Sequence, residues 1–415
     1  MIESYYCAPK TLQHLRTGLI GPHIDAFADA LEQQGYASST VVRYLRAAAH
    51  LGRFVQRRGA VLADIDASMM EAFGRHLSHC RCPRSYGGRT SCHLRSGVKL
   101  FHQHLVQRGI CTIQSVADNQ GDEPAVVAAF RDWFRTHRGA TEPTLRLYSR
   151  GASGLIQALG EDVSQWRAQT LREFLLDHAS KRGAETTQRL ITSVRAFLRY
   201  LGFVGAIRDD LAFAIPAIAH WRLATLPRCL SSEELRRLIA ACDGTTSARI
   251  RDRAIVLLLS RLGLRAGDIV RMRLTDIDWK SGTLRVMGKG RYQVRLALPQ
   301  DVGDAVLRYL ECRPRVDHSD RIFLRTIAPH GSLASSDGVS NVVKRALERA
   351  GIEAPAHGAH LLRHTAATEM LRHGVPLDQV GLVLRHRSID MTAYYAKVDV
   401  SLLKQMAQPW PEVKS

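Results

Sequence analysis

Long apolar runs are missing from this sequence. A membrane-spanning helix needs ~20 apolar residues, and the segment from Ala254 to Leu259 is far too short. The first residues, MIESYYCAPK, lack the basic and apolar regions of a secretory signal. The eight cysteines are scattered through 415 residues, which suits reduced thiols better than a disulfide framework. We therefore expect a cytoplasmic protein with no membrane segment.

Acidic residues and lysine are also scarce. The 39 Asp and Glu face 58 Lys and Arg, which gives a net charge of +19. Only 9 of the basic residues are Lys, so 49 are Arg, whose planar fork suits phosphate oxygens. A GC-rich genome would enrich arginine as well, and composition does not separate the two causes. A charge this positive is typical of a protein that binds a polyanion, most often nucleic acid.

The first half carries a weak internal repeat with helical periodicity. Gly35, Thr40 and Tyr44 lie 104 residues before Gly139, Thr144 and Tyr148. This spacing predicts two helical bundles, at residues 1–114 and 123–222, joined by a polar linker at 115–123. A chain of this length is expected to have about two or three domains. We assign the remaining sequence to a third domain at 226–400 and a tail at 401–415.

The third domain combines helices with the one clear β pattern. Ser231 and Glu234 form a capping box that predicts a helix at 233–242. Further helices are predicted at 247–262 and 266–272, and a hairpin at 283–286 and 294–298 around Gly288-Lys289-Gly290. After Asp301 we expect helix to the end. The predicted fold class is mainly α with a small β-sheet or hairpin: two helical bundles followed by a mixed α+β domain.

Several common catalytic motifs are absent. The sequence has no Walker loop and no dinucleotide fingerprint, and the carboxyl-terminal half has no HExxH or paired-cysteine zinc spacing. That half instead carries cations, imidazoles and a phenol without a carboxylate pair: Arg265, Lys289, His360, Arg363, His364, His386 and Tyr395. Arg forks hold phosphate oxygens, Lys or His can protonate an alkoxide, and a Tyr oxygen can attack phosphorus. The set therefore indicates chemistry on a phosphodiester.

The same residues lie in five blocks that resemble one family. LPRCLSSEEL, LSRLGLRAGDIVRMRLTDIDW, VMGKGRYQVRLALP, HLLRHTAATEML and LVLRHRSIDMTAYYAKV are similar, in this order, to the catalytic domain of tyrosine recombinases, or phage-type integrases. The resemblance covers residues 226–398. It implies that 226–400 is the catalytic domain and that 123–222 is the family's core-binding (SAM-like) domain. The bundle at 1–114 is expected to bind DNA, although it resembles no known arm-binding domain.

The resemblance implies a role for each matched residue. Tyr395 attacks the scissile phosphate and forms a 3′-phosphotyrosyl bond, while Arg265 and Arg363 clamp the phosphate. Lys289 protonates the leaving 5′ oxygen. His360 accepts the tyrosine proton or supports its transfer, and His386 hydrogen-bonds the phosphate. No cofactor, metal or ATP is expected, because the covalent bond keeps the phosphodiester energy.

The roles of several residues next to the matched positions have to be weighed separately. Tyr395, not Tyr394, has the family's nine-residue offset from His386, and adjacent helical side chains point about 100° apart. The family usually has Gly where Arg385 stands, so this cation could touch DNA or crowd the site. Asp268 either orients an active-site side chain or is an ordinary surface carboxylate. His364 is expected to be structural.

Other basic residues are expected to grip DNA as an ensemble. They are Arg43, Lys99, Arg146, Arg189, Arg195 and Arg199 on predicted helices, and Arg291 at the hairpin tip. The stretch HCRCPRSYGGRTSCH raises a separate question, because its His79, Cys80, Cys82, Cys92 and His93 could ligate zinc. Their spacing is not a strong zinc signature, and we interpret the stretch as a basic loop without metal.

The sequence thus predicts a site-specific DNA recombinase of the mobile-element integrase or transposase type, acting through a Holliday junction. Its expected partners are duplex DNA with paired or inverted sites, three further copies in a tetramer, and companion recombinases. The tail at 401–415 docks on a neighbouring subunit or packs on its own domain. One alternative is a catalytically silent assembly partner, and another is a type IB topoisomerase. The target sequence and the direction of the reaction stay open.

Overall fold

A computed structural model of the chain describes residues 2–80, 82, 92–111, 123–207, 209–215, 227–287, 293–314, 316, 319–386, 388 and 390–398. The fold is mainly helical with one small antiparallel sheet, which confirms the predicted class. The chain forms two compact units, one of residues 1–113 with 223–415 and one of 114–222. The described helices include none that is long and apolar enough to cross a membrane. The predicted tail at 401–415 and residues 115–122 of the predicted linker lie outside the described residues.

The amino-terminal bundle has its own hydrophobic core within residues 2–111. Phe27, Leu45 and Phe101 are completely or almost completely buried in it. Asp66 begins the fourth helix as an N-cap, because its Oδ1 accepts a hydrogen bond of 2.7 Å from the backbone N–H of Met69. The helices are α1 Pro9–Arg16, α2 Gly21–Gln33, α3 Ser38–Arg57, α4 Ala67–Ser78 and α5 Cys92–Gln107.

The unit at 114–222 repeats the last four helices of that bundle. Its core contains Phe130, Val194 and Phe197. In both bundles the second helix of the repeat packs against the fourth, which agrees with the predicted internal repeat. The helices are α6 Ala125–Arg138, α7 Glu142–Leu159, α8 Ala168–Lys181 and α9 Ala184–Phe203.

Residues 227–398 surround a third core that lies within 230–362. The predicted capping box is present, since Ser231 Oγ accepts from the backbone N–H of Glu234 (3.2 Å) and the Glu234 carboxylate accepts from that of Ser231 (2.8 Å). The helices are α10 Ser232–Ala240, α11 Ser247–Leu262, α12 Ala266–Arg271, α13 Gln300–Cys312, α14 Ser336–Ala350, α15 Ala359–Arg372, α16 Leu377–Leu384 and α17 Asp390–Ala393.

The sheet has the strand order β1-β2-β3, all antiparallel, with β1 Ile277–Asp278, β2 Thr283–Met287 and β3 Gln293–Ala297. Leu284 pairs with Leu296, and Val286 with Val294, so the predicted hairpin is confirmed. The short β1 was not predicted, since two residues carry no alternation.

The prediction of helix from Asp301 to the end was wrong for residues 313–314, 316 and 319–335, which form no α-helix. Pro314 ends α13, because the residue before a proline is disfavoured in helical conformation. Arg313 is extended there, and its guanidinium donates to the carbonyls of Ser319, Arg321 and Ile322. These bonds hold an irregular connection to α14.

Gly263 ends α11 in the left-handed conformation, with φ 55°, and Gly351 ends α14 in the same way, with φ 60°. A Cβ at Gly263 would lie 2.5 Å from Leu384 Cδ2, whereas a Cβ at Gly351 would meet nothing within 4 Å. We expect Gly351→Ala to lower the free energy of unfolding by about 1 kcal/mol through backbone strain alone. Gly263→Ala should cost about 2–3 kcal/mol, because Leu384 must also move. Denaturant unfolding of both variants checks this, and equal losses would contradict it.

Candidate active site

Arg363 lies at the centre of the candidate site, on α15, and is only 4% exposed. Its Nη1 donates to the carbonyl oxygen of Gly263 and its Nη2 to that of Leu384. These two residues stand at the carboxyl ends of α11 and α16, where carbonyls have no partner within the helix and the helix dipole favours a cation. Arg363 thus joins three helices through one side chain.

Arg265 is the N-cap residue of α12, and Asp268 lies three residues later. The backbone N–H of Arg265 donates to Asp268 Oδ2 at 2.9 Å, which fixes the turn. The Arg265 side chain extends to the other end of the site, where Nη2 donates to the carbonyl of Arg385 at 3.1 Å. The carbonyls of residues 384 and 385, just after α16, therefore hold both predicted clamp arginines.

Arg385 has a left-handed backbone, with φ 55°, at the position where the family usually has glycine. Its side chain is buried, and Nη2 contacts Asp268 Oδ2 at 2.7 Å. Asp268, 5% exposed, also contacts Arg271 Nη2 at 3.3 Å. The structure thus places Asp268 among three arginines rather than on an ordinary surface. Arg385 Nε and Nη1 are buried without a hydrogen-bond partner among the described residues.

Tyr395, two residues after the end of α17, is 2% exposed. Its hydroxyl lies 2.8 Å from His364 Nδ1, and the two rings are 5.6 Å apart. Burial raises the pKa of Tyr395 to about 12, so the hydroxyl carries its proton at neutral pH. Burial also lowers the pKa of His364 to about 4, helped by the nearby His360 and Arg363. A neutral imidazole at this distance can accept the tyrosine hydrogen bond.

His386 and His360 complete the imidazole group. The His386 ring stacks on that of Tyr395 at 6.2 Å, and its Nδ1 is hydrogen-bonded to Thr392 Oγ1 at 2.8 Å. His360 lies one helical turn before His364, with ring centroids 6.4 Å apart, and is exposed at the surface. Partial burial and the charges of Arg363 and Arg265 lower the pKa of His360.

The site carries excess positive charge. Burial, together with the charge of Arg265, lowers the pKa of Arg363 to about 10. Burial and the charge of Arg385 likewise lower the pKa of Arg265. Within the described part of the site, Asp268 is the one carboxylate among these guanidinium groups. An anion would relieve this repulsion, and a phosphate suits several Arg forks.

The structure brings together Arg265, Asp268, His360, Arg363, His386 and Tyr395 from the predicted set. Lys289 and Arg291 lie outside the described residues. His364 was expected to be structural, but its contact with Tyr395 makes it a candidate proton acceptor. The sequence signal was present, because His364 stands four residues after His360 and so shares its helix face.

The predicted DNA-contacting residues lie on the helices expected for them. Arg43, Lys99, Arg146, Arg189 and Arg199 are exposed and Arg195 is half-buried. Arg189 also pairs with Glu185 at 2.5 Å. In the unit at 114–222, Arg195 and Arg199 line a groove of about 440 Å³ with Trp133 and Tyr148.

Comparison of the sequence with known proteins identifies the family of this chain. The model of the phage integrase family matches residues 228–401. The protein y4rA of Sinorhizobium fredii, described as an integrase/recombinase, is 34% identical over 401 residues, 95% of each chain. The chain belongs to the phage integrase family of tyrosine recombinases. Tyrosine recombinase XerD of Proteus mirabilis is 28% identical over 315 residues, 73% of this chain and 98% of XerD.

Two solved structures share the fold of this tyrosine recombinase. The XerH site-specific recombinase bound to its palindromic difH substrate aligns with a TM-score of 0.56 and 19% identity, over 69% of this chain and 85% of XerH. A lambda integrase dimer bound to a COC′ core site aligns with a TM-score of 0.52 and 18% identity, over 70% of this chain and 98% of that one. Family membership makes this recombinase an enzyme that cleaves and rejoins DNA strands.

The pair of Asp268 and Arg385 should be strongly coupled. Asp268→Asn leaves the buried Arg385 guanidinium without a counter-charge, and we expect it to lower the free energy of unfolding by about 3–5 kcal/mol. Arg385→Gly removes a buried cation and relieves the left-handed backbone, so the double variant should recover at least about 1 kcal/mol of that loss. Denaturant unfolding of the four proteins measures the coupling. Arg189→Ala, which breaks an exposed pair, should change stability by less than about 0.5 kcal/mol. Additive losses in the double variant would contradict the buried pair.

Stability should fall with acidification, because His364 and His386 have pKa values of about 4 when folded, against an ordinary value of 6.5. The unfolded chain binds more protons between pH 6.5 and 4, so acid favours unfolding by about 1–2 kcal/mol per histidine at pH 5. His364→Gln keeps a hydrogen-bond acceptor for Tyr395 but cannot titrate, so the loss from pH 7 to 5 should shrink. His373→Gln, exposed after the same helix, is the control. Identical pH slopes for wild type and His364→Gln would refute this origin.

Proposed function

We propose that the chain is a site-specific DNA recombinase of the mobile-element integrase or transposase type. It would cleave and rejoin DNA strands through a 3′-phosphotyrosyl intermediate and a Holliday junction. One observation carries this proposal. The Tyr395 hydroxyl lies 2.8 Å from His364 Nδ1, in a site whose several arginines are accompanied by a single described carboxylate, that of Asp268. A nucleophile beside excess positive charge suits an anionic phosphodiester.

The proposed reaction balances without a cofactor. Tyr395 Oη forms a bond to phosphorus while the bond from phosphorus to the 5′ oxygen breaks. The phenol proton passes to His364, its hydrogen-bond partner, with His360 one turn away as the alternative acceptor. Lys289 gives a proton to the leaving 5′ oxygen, and His386 hydrogen-bonds the phosphate. Attack of a 5′ hydroxyl on the phosphotyrosine reverses these steps and rejoins a strand.

Arg265 and Arg363 provide the charge in this scheme. Each guanidinium carries five N–H donors, and the described bonds to the carbonyls of Gly263, Leu384 and Arg385 orient both groups. Pre-oriented donors stabilise the charge that grows on the non-bridging oxygens without having to reorganise during the reaction. We therefore propose that strand transfer requires neither metal nor ATP.

Duplex DNA with paired or inverted sites is the proposed substrate, and four subunits would assemble on it. The XerH and lambda integrase structures contain DNA, and the lambda protein is a dimer there. The net charge of +19 supports binding of a polyanion. Residues 1–114 and 123–222 are proposed as DNA-binding and core-binding domains, 226–400 as the catalytic domain, and 401–415 as a tail that docks on a neighbouring subunit. The proposed phosphate contacts are Arg43, Lys99, Arg146, Arg189, Arg195, Arg199 and Arg291.

The mobile-element setting rests on the relatives and on chain length. XerD of Proteus mirabilis is matched over 98% of its length by only 73% of this chain, so the chain carries additional sequence. The y4rA protein, in contrast, matches along 95% of both chains and is described as an integrase/recombinase. Two alternatives remain to be tested, a catalytically silent partner for companion recombinases and a type IB topoisomerase.

A suicide substrate tests the chemistry directly. Duplexes from the ends of the element that carries the gene, nicked beside the candidate cleavage site, are incubated with the full chain in EDTA without ATP. Wild type should form a band that survives SDS and disappears with protease. Tyr395→Phe should form none, because it lacks the attacking oxygen, whereas Tyr394→Phe should retain the band. We expect His364→Ala to slow band formation by about 10²-fold or more through loss of the proton acceptor.

The outcomes separate the alternatives. Tight DNA binding with no covalent band from any substrate would favour the silent partner and refute the proposed activity. A covalent band from a monomer that relaxes supercoiled plasmids lacking the site would indicate the topoisomerase. Strand exchange between two sites, by a complex of four subunits, would support the recombinase.

A further inference from the structure

Four side chains with nitrogen and sulfur ligands meet in the amino-terminal bundle, far along the chain from Tyr395. They are His50 in the middle of α3, His76 in the last turn of α4, and Cys80 and Cys82 just after α4. The four ligand atoms lie within 4.8 Å of one another. Within the part of the chain that the structure describes, no other group of three or more His, Cys, Asp or Glu side chains has this arrangement.

The distances between these atoms match the edges of a zinc tetrahedron. His50 Nε2 lies 3.2 Å from His76 Nε2, Cys80 Sγ lies 3.4 Å from His50 Nε2, and Cys82 Sγ lies 3.7 Å from His76 Nε2. Bond lengths of about 2.0–2.1 Å to nitrogen and 2.3 Å to sulfur give tetrahedral edges of about 3.4 Å between nitrogens and about 3.6 Å between nitrogen and sulfur. These three distances fit such a tetrahedron, and since all four atoms lie within 4.8 Å of one another, a single ion at the centre would reach them after small shifts of the side chains.

The surroundings suit a closed structural site. His50 and Cys80 are buried, at 3% and 6% exposure, and the ring of Phe73 packs 5.2 Å from His50. The ring of Phe54 lies 5.0 Å from that of His76. This apolar shell limits access of water, and four protein ligands leave no open position for a substrate. Both cysteines are thiols rather than disulfide partners, and two thiolates would balance the charge of a divalent ion.

We propose that His50, His76, Cys80 and Cys82 bind one structural Zn²⁺. Two thiolates with two imidazoles in a tetrahedron are typical of zinc rather than of the oxygen-seeking ions Mg²⁺ and Ca²⁺. The ion would join the middle of α3 to the end of α4 and to the chain that follows, and so stabilise the amino-terminal bundle. This proposal does not depend on the proposed recombinase activity.

This site departs from the metal-free loop predicted from the sequence. Of the five residues considered there, the cluster contains only Cys80 and Cys82. His79 is exposed and does not belong to it, and the side chains of Cys92 and His93 lie outside the described residues. His50 stands 26 residues before His76, so the ligands meet only because α3 packs against α4. The cluster therefore has no spacing motif in the sequence.

Metal content of the full chain tests the proposal. The protein is purified without a metal-affinity step, dialysed without chelator, and measured for all transition metals by ICP-MS. We expect about one zinc per chain in wild type and less than about a tenth in Cys80→Ser/Cys82→Ser, because two of four ligands are lost. The matched control Cys7→Ser/Cys229→Ser removes two cysteines outside the cluster and should keep its zinc, as should His79→Ala.

A second measurement covers the case in which the double variant does not fold. Zinc in the wild-type chain is exchanged for Co²⁺, which should give the visible bands of tetrahedral cobalt and a near-ultraviolet thiolate-to-cobalt band. The folding midpoint of wild type should also drop when a chelator removes the ion, since a bound ion stabilises only the folded state. Wild type that holds no zinc after supply of the ion, a cobalt spectrum without thiolate bands, or a disulfide between Cys80 and Cys82 would each overturn the proposal.

Discussion

The carboxyl ends of two helices, held by one buried arginine, determine the geometry of the site. Arg363 donates to the carbonyls of Gly263 and Leu384, so the ends of α11 and α16 are tied to α15. A buried guanidinium is costly unless its N–H groups are matched. Carbonyl groups at the carboxyl end of a helix have no partner within the helix, so they can accept these hydrogen bonds, and the negative end of the helix dipole favours a cation there. The left-handed turns at Gly263 and Arg385 follow from this constraint, because they bring α12 and the segment with His386 to the same place.

This arrangement orients Arg265 and Arg363 but leaves their positive charge largely unbalanced. Carbonyl groups align Arg265 and Arg363 without cancelling their charge, and Asp268 is shared with Arg271 and Arg385. A second carboxylate would stabilise the fold, but it would also compete with a phosphate for the same donors. Burial and neighbouring guanidinium charges both lower the pKa values of Arg265 and Arg363, and a bound anion would counteract these effects.

Local sequence signals predicted much of this fold. Short sequence patterns predicted the capping box at Ser231 and Glu234, the helix at 247–262 and the hairpin. Each of these depends on residues that are close together in the sequence. The contact between His364 and Tyr395 joins residues 31 positions apart, and it depends on how the chain just after α17 packs against α15. Resemblance named the residues expected to be catalytic, but it gave no geometry, and at Arg385 the sequence departs from the family pattern.

The protonation states of the site argue for coupling between DNA binding and nucleophile activation. With pKa values near 4 for His364 and near 12 for Tyr395, proton transfer between them is strongly unfavourable in the protein alone. The positive charges that surround His364 help to keep it neutral. A phosphodiester bound in the proposed position would offset those charges and raise the pKa of His364, since a nearby anion favours the protonated imidazole. The same guanidinium groups would then stabilise the charge that develops on the phosphate. In the proposed reaction the bound substrate would therefore help to create the base that its own cleavage needs.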